Sequence, residues 1–329
     1  MARYLITGIA GFIGSSLAHE LLRLGHDIRG IDNLSCGNLR NLDAIRNHID
    51  FREMDINDTD RLCSFCSHVD YVLHEAAVAS VPRSIKDPIA SNITNLNGTL
   101  SVLIAARDAG VSRVVYAASS SAYGDEPTQP KHEFMLPSPL SPYAVQKLAA
   151  EHYVRSFWHI YGLEGVCLRY FNVFGPRQSA DSPYSGVIAR FISDMLAGNV
   201  PTIFGTGTQS RDFTSIRNVV SANLLACAAP TRDCCGEAFN IGTGKSQTLN
   251  ALYAALAGLL HFPHPANYLA ARTGDIAHSQ ASIAKAAIGL GYMPIESFEK
   301  GLRATVDWYV EQQCTGDLDS LTYSLPRSA

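Results

Sequence analysis

The 329-residue sequence predicts an α/β protein, a doubly wound parallel sheet carrying a second, smaller and mostly helical lobe. Three observations predict it. Short apolar, β-branched runs alternate with longer stretches of helical periodicity through the first half of the chain. A glycine-rich turn, TGIAGFIG, joins the first such run to the first helix. The runs are apolar almost throughout, the pattern of strands covered by helices on both faces.

Taken in order, the strands are expected at Tyr4–Thr7, Asp27–Asp32, Phe51–Asp55, Tyr71–Glu75, Arg113–Ser119 and Val166–Phe171. Helices are expected at Phe12–Leu24, at Ser91–Gly110, which Gly110 ends, and at Ser141–Tyr161, which Ser141 caps with Pro142 in the first turn. DTDRLCSFCSH (58–68) reads as a further helix with Leu62, Phe65 and Cys66 turned inward. After Phe171 the rhythm breaks in NVFGPRQSADSPYSG (172–186). A helix at Val187–Ala197 and short strands around Ile203 and Phe213 follow. EAFNIGTG (237–244) reads as a buried strand returning to the sheet, and the remainder through Trp308 is mostly helical. The expected division is a sheet domain of residues 1–171 plus 212–240, a smaller lobe of 172–211 plus 241–313, and a loose tail at 314–329.

Composition excludes several function classes. Lys and Arg number 26 against 30 Asp and Glu, a formal net charge of −4, so no basic excess recommends nucleic acid as a partner. No apolar run approaches the ~20 residues that span a bilayer. The longest, Ala251 to Phe262, reads as a buried helix face, and the N-terminus has glycines where a secretory signal keeps its apolar block. The expectation is a cytoplasmic protein without a membrane partner. Eight cysteines do not suggest a disulfide scaffold in that compartment. Cys63 and Cys66 form a CxxC and Cys234–Cys235 are adjacent, but no second CxxC or His pair completes a ligand set. Structural thiols and no metal are expected.

The turn Thr7-Gly8-Ile9-Ala10-Gly11-Phe12-Ile13-Gly14 suits close backbone approach to a pyrophosphate, with the helix N-terminus supplying N–H groups to it. A plain β–α turn is the alternative. Asp32, ending the second strand 18 positions after Gly14, adds a carboxylate that accepts from an adenosine ribose diol and repels a 2′-phosphate. NAD is therefore favoured over NADP, with Arg40 the one nearby cation that speaks the other way. Asp55, ending the third strand, suits an adenine edge or a helix cap.

Ser141-Pro142-Tyr143-Ala144-Val145-Gln146-Lys147 sets a tyrosine and a lysine four apart on one helix face. An ammonium beside a phenol favours phenolate, so a group of ordinary pKa ~10 can serve as a base near neutrality. Of the 14 tyrosines only Tyr143 has lysine at that spacing. The fifth strand ends in Ser119-Ser120-Ser121, at the sheet edge where open α/β sheets bind ligands. A serine there can relay a proton to Tyr143; the alternative is that the serines satisfy backbone groups.

With these motifs in view, the chain resembles the extended short-chain dehydrogenase/reductases, specifically their NAD-dependent UDP-sugar 4-epimerases. The likeness runs from TGIAGFIG to the Trp308-Tyr309 helix and includes HEAAVASVPRS (74–84), NITNLNGT (92–99), ASSSAYGD (118–125), SPYAVQK (141–147), RYFNVFGPRQ (169–178), SRDFTSI (210–216) and RTGDIAHSQA (272–281). The wording of 119–124 and 274–281 is most similar to the branch acting on UDP-N-acetylglucosamine (UDP-GlcNAc).

The resemblance implies a Rossmann-type sheet domain and roles position by position. Gly8, Gly11, Phe12, Ile13, Gly14, Asp32 and Asn33 would hold NAD, Asp55 and Ile56 would meet the adenine, and Ala76 and Ala77 would line the pyrophosphate path. Asn95 would support the cofactor and Lys147 would bond its nicotinamide ribose. Tyr143 would be the base, with Ser119, Ser120 and Ser121 shuttling the proton and orienting the sugar. Asn172 would contact the diphosphate, Arg211 and Arg272 would clamp it, Asp275 would hold the uridine ribose, and Val187 would touch the substrate. The plainer alternative pairs Arg211 and Arg272 with Asp212 and Asp275 as surface salt bridges.

The implied reaction removes the O4 proton while C4 is oxidised, turns the 4-keto sugar over and reduces its other face. Dehydratase and decarboxylase relatives carry carboxylates where this chain has Ser120 and Ser121, which leaves re-reduction as the fate of the keto sugar. A non-catalytic NAD-binding module is opposed by the intact Ser119, Tyr143 and Lys147. In the family the residue five positions after the Gly of RxGD borders the hexose 2-substituent; here Gly274 leads to Ser279, small enough for an acetamido group. UDP-GlcNAc and its C4 epimer UDP-GalNAc are the expected pair, then UDP-glucose (UDP-Glc) and UDP-galactose (UDP-Gal), with UDP-glucuronate as the alternative. A homodimer through helices 91–109 and 142–160 is implied as well. Glu75, where relatives more often have Leu or Gln, and Ala79 depart from the pattern.

Overall fold

The computed structural model describes residues 1–180, 186–271 and 276–314. Its strands are β1 (Arg3–Thr7), β2 (Asp27–Asp32), β3 (Asp50–Glu53), β4 (Tyr71–His74), β5 (Arg113–Ser119), β6 (Glu164–Tyr170), β7 (Val173–Phe174), β8 (Thr202–Phe204), β9 (Ser210–Arg211), β10 (Thr214–Ser215), β11 (Glu237–Ile241), β12 (Gln247–Thr248), β13 (Asn267–Leu269) and β14 (His278–Ser279). The helices are α1 (Phe12–Arg23), α2 (Thr59–Phe65), α3 (Val81–Lys86), α4 (Pro88–Asn92), α5 (Gly98–Asp108), α6 (Pro142–Tyr161), α7 (Val187–Leu196), α8 (Ile216–Ala228), α9 (Thr231–Cys234), α10 (Leu249–Leu259), α11 (Ala284–Leu290) and α12 (Phe298–Cys314).

Seven strands form one parallel sheet in the order β11-β6-β5-β4-β1-β2-β3. The chain works outward from β1 to β3, then crosses to β4 and works outward the other way. This is a doubly wound sheet with its switch point between β1 and β4, where such sheets open a crevice at their carboxyl edge. Strand β5 shows why its sequence is apolar on both faces. Val115 and Ala117 enter one buried cluster with Leu17 and Val219, while Val114, Tyr116 and Ala118 enter another with Val102 and Val154. A third cluster joins α7, α10 and α12 through Phe191, Leu256 and Val306. It draws in Phe213, which lies between β9 and β10 rather than in a strand.

Three expectations change. The third and fourth strands stop at Glu53 and His74, so Asp55 and Glu75 lie in the loops beyond them. The helix expected from 91 to 110 is broken by a π-helical turn, Ile93–Asn97, between α4 and α5. Buried Asn95 sits in that turn, donating to Val78 O at 3.2 Å and Gln146 Oε1 at 2.8 Å and accepting from Val78 N at 2.7 Å. Widened turns of this kind recur where a helix must aim a side chain. The apolar run 251–262 becomes α10, which buries Leu252, Tyr253 and Leu256 along one face. All eight cysteines are free thiols. Among the described residues no group of metal-ligating side chains assembles and no helix is long and apolar enough to cross a membrane.

Candidate active site

At the switch point a cleft of about 250 Å³ is lined by Gly8, Gly11, Phe12, Ile13, Gly14, Asp32, Asn33, Ile56, Ala76 and Ala77, all nominated from the sequence. The turn is shaped by what its glycines lack. Gly8 has φ +69°, and a Cβ there would come within 2.8 Å of the Ala76 backbone; a Cβ on Gly14 would fall 2.2 Å from Gly8 O. Gly11 is the N-cap of α1 and offers no side chain to the first-turn N–H groups, and the first turn carries no acidic residue. That helix end is therefore open to an anion. Asp32 accepts from Ala10 N at 3.0 Å and Leu34 N at 2.8 Å, while burial raises its carboxyl above the usual range. A carboxylate anchored by its own backbone at the rim suits a ribose diol, and the close-approach turn suits a diphosphate. The cleft fits NAD.

Asp55 stands behind Asn33, accepting from Asn33 Nδ2 at 2.7 Å and from Asn57 N and Nδ2 at 2.8 Å. Burial opposes its charge, but those donors prevail and hold the carboxyl below the ordinary value. It does not cap α2; Asp58 does. The cleft also takes in residues the sequence reading did not nominate for it, notably Met54, Thr94, Glu75 and Ala79. Only the last two carried a signal, as departures from the family pattern.

A second cavity of about 160 Å³ gathers Ser119, Ser120, Ser121, Asn172, Arg211 and Ser279, six sequence-nominated residues from four separate stretches of chain. Ser119 accepts from Ser121 N at 3.1 Å and from Ser121 Oγ at 2.8 Å. Its hydroxyl also favours the ionised form of the Tyr143 phenol. Arg211 donates to Ser210 O at 2.9 Å and Ala277 O at 3.3 Å. The Asp212 carboxylate, its alternative partner, instead accepts from Thr243, Gly244 and Ala281. Val187 and Asn172 share a small adjoining pocket with Phe213. Arg272 and Asp275 lie outside the described residues. Tyr123 and Lys131 also line the second cavity and were missed. Lys131 donates to the carbonyls of Glu126 and Thr128, a loop contact that no motif announces.

Helix α6 carries Tyr143 and Lys147, the pair nominated from the sequence for acid–base work. Ser141 caps it by accepting from Ala144 N at 3.2 Å, Pro142 occupies the first turn, and Tyr143 N donates to Ser84 Oγ at 3.0 Å. Lys147, buried, reaches past the phenol: its Nζ donates to Ala117 O at 2.8 Å and lies 4.8 Å from the centre of the Tyr116 ring. Burial raises the Tyr143 phenol above its ordinary value, and the Ser119 hydroxyl opposes that rise. Burial pushes Lys147 down to about 8, against the pull of Glu75. In the protein without its cofactor the phenol is thus raised by desolvation, while the ammonium is held by a strand carbonyl.

Comparison with known proteins follows this geometry. Residues 4–242 match the model of the NAD dependent epimerase/dehydratase family. A UDP-glucose 4-epimerase of Mycolicibacterium smegmatis is 37% identical over 313 residues, covering 93% of this chain and 98% of the relative. The solved UDP-N-acetylglucosamine 4-epimerase of Methanobrevibacter ruminantium, in complex with UDP-N-acetylmuramic acid, superimposes with a TM-score of 0.90 at 39% identity, covering 94% and 99% of the two chains. The UDP-glucuronic acid 4-epimerase of Bacillus cereus, in complex with UDP-glucuronic acid and NAD, does so with 0.86 at 32% identity, covering 94% and 99%. The chain belongs to the NAD dependent epimerase/dehydratase family and, within it, to the NAD-dependent UDP-sugar 4-epimerases.

Proposed function

We propose that the protein interconverts UDP-GlcNAc and UDP-GalNAc at C4, with slower action on UDP-Glc and UDP-Gal. The observation that carries the choice of sugar is Ser279: a small side chain in the same cavity as the serine run and Arg211, leaving volume for an acetamido group. Tyr143 takes the proton of the sugar O4–H and Ser119, whose hydroxyl favours the ionised phenol, relays that proton. Lys147 adds positive charge that favours phenolate and bonds the cofactor ribose. NAD, when bound, supplies the reversible two-electron oxidation of C4. Ser120 and Ser121 orient the hexose and offer no carboxylate for proton removal at C5, so the keto sugar is reduced back. Asn172, Arg211, Arg272, Asp275 and Val187 hold the nucleotide while the sugar turns over, planar guanidinium groups meeting phosphate oxygens in pairs. Gly8, Gly11, Phe12, Ile13, Gly14, Asp32, Asn33, Asp55, Ile56, Ala76, Ala77 and Asn95 hold the cofactor. The same reading divides the chain into a cofactor domain, 1–171 plus 212–240, and a nucleotide-sugar domain.

Purified protein incubated separately with UDP-GlcNAc, UDP-Glc and UDP-glucuronate, without added reductant, is expected to form the C4 epimer of the first fastest, with no net NADH. Normal turnover by Tyr143→Phe would overturn the mechanism. A second reading, UDP-glucuronate, has the Lys131 ammonium beside the cavity in its favour; fastest epimerisation of the uronate would select it.

We further infer a homodimer. Ile89, Ile93, Leu140 and Val145 are exposed and line one apolar groove between α4 and the start of α6, the face that the family resemblance pairs across a two-fold axis.

A further inference from the structure

Helix α8 is more apolar than its packing on the sheet requires. Val219, Ala222 and Ala226 join one buried cluster with Leu17 of α1. A second row, Ile216, Val220, Leu224 and Ala228, repeats every four residues and lines, with Ser16 and His19 of α1, a groove of about 740 Å³. The row runs for ~18 Å of helix. Arg177 joins the groove from the turn after β7, its backbone at φ +72°, a region that residues with a Cβ seldom adopt. Among the described residues its guanidinium makes one hydrogen bond, Nη2 to Ser16 Oγ at 3.2 Å, and its Nε is sealed from solvent with no partner. Burial, opposed by no neighbouring carboxylate, lowers the guanidinium below its ordinary range. The acidic side chains of this surface are committed to other cations. Glu20 takes both prongs of Arg23, at 2.8 and 2.6 Å, and Glu296 accepts from Arg217 at 3.3 Å. A cation so placed is costly unless an anion comes to it.

We propose that this groove binds an aliphatic monoanion, whose carboxylate or phosphate monoester head pairs with Arg177 while its chain lies along the apolar row of α8. The site stands apart from the reaction, since none of its lining residues lines the cofactor cleft or the cavity of the serine run. It has the composition of pockets that hold small ligands, in which apolar walls give affinity and a few polar groups fix orientation. Head and chain are both needed. An uncharged chain leaves the guanidinium without its partner, and a bare anion leaves the apolar row exposed. A polyanion gains little, because Arg23 and Arg217 already face carboxylates.

The experiment titrates the NAD-loaded protein, with UDP at saturation to fill the sugar site, with decanoate and decyl phosphate by isothermal calorimetry. Decanol and inorganic phosphate are the controls, and all chains are kept below their micellar concentrations. Both anions should bind at one site per chain, about tenfold or more tighter than either control. Arg177→Gln should weaken decanoate about tenfold and leave decanol unchanged, whereas Arg177→Lys, which keeps the charge, should lose less. Decanoate should raise the Tm of the parent and not that of Arg177→Gln. Ser221→Trp, which places a large ring in the groove lining, should abolish binding of both anions. Epimerase activity retained in each variant certifies its fold. No saturable binding of either anion, equal affinity for decanoate and decanol, or decanoate binding unchanged in both Arg177→Gln and Ser221→Trp would overturn the proposal. So would binding to phosphatidylglycerol vesicles without binding of free decanoate, which would make the groove a membrane contact instead.

Discussion

Ser279 stands opposite Arg211 on adjacent parallel strands, β14 and β9, so the proposed neighbour of the hexose 2-substituent and the proposed diphosphate clamp are fixed to one another by backbone hydrogen bonds. A bulky side chain at 279 intrudes into the shared cavity beside that clamp. Ser279→Tyr is expected to lower kcat/KM for UDP-GlcNAc about tenfold to a hundredfold, from an overpacking cost of ~1–3 kcal/mol, while sparing UDP-Glc. Equal loss on both sugars would show that 279 is no gate.

Arg169 and Glu151 form a buried two-pronged ion pair, with Nε to Oε2 at 2.9 Å and the second prong at 2.7 Å. Arg169 also donates to Tyr123 Oη at 2.9 Å, tying β6 to the segment after the serine run. Glu151→Ala leaves an unpaired cation in the core and should cost about 3–5 kcal/mol, measured by urea unfolding. The double variant Glu151→Leu, Arg169→Met should lose clearly less; if it loses as much, the pair is not what makes the single change costly.

His74 and Glu75, neighbours in sequence, oppose each other in pH dependence. Thr99 Oγ1 donates to Asn95 O and so accepts from His74 Nε2 at 2.9 Å, leaving Nδ1 to accept from Thr7 at 2.7 Å. Burial, helped by the Lys147 charge, depresses this imidazole from 6.5 to about 3. Its contribution to stability is present above pH 6.5 and lost as pH falls toward 3, at about 1.4 kcal/mol per unit. Glu75, raised from 4.5 to about 7, contributes below pH 4.5 and loses that contribution as pH rises through 7. Between 4.5 and 6.5 the two slopes cancel. Urea midpoints should therefore rise with pH over that window in Glu75→Gln and fall with pH in His74→Gln. Slopes unchanged from the parent in both variants would contradict this account.

The homodimer proposed above would close over the apolar groove at α4 and α6. Ile89 is 74% and Val145 51% exposed, with Leu140 beside them. A charge at the centre of such a face costs several kcal/mol of association, so Ile89→Glu should halve the mass seen by light scattering. Retention of the parent mass would place the interface elsewhere or remove it.

Much of this molecule was legible from neighbouring residues alone. Strand and helix alternation, the Gly8–Gly14 turn, the Ser141 cap and the Tyr143–Lys147 spacing are local patterns, and local patterns obey the periods of 2.0 and 3.6 that sequence displays directly. The π-turn around Asn95 was not legible, because it answers to Val78 and Gln146, partners distant along the chain. Lys131 likewise enters the second cavity through loop contacts that no spacing encodes.

By itself the sequence determined the doubly wound class, the glycine-rich turn, a carboxylate, Asp32, at the rim of its cleft, and a tyrosine and a lysine on one helix. Tertiary structure alone decided that Lys147 bonds Ala117 and that Ser279 pairs with Arg211. The physical reason is that residue type and spacing set backbone conformation, whereas the ionisation and reach of a buried side chain depend on desolvation and on charges brought near only when distant strands pair.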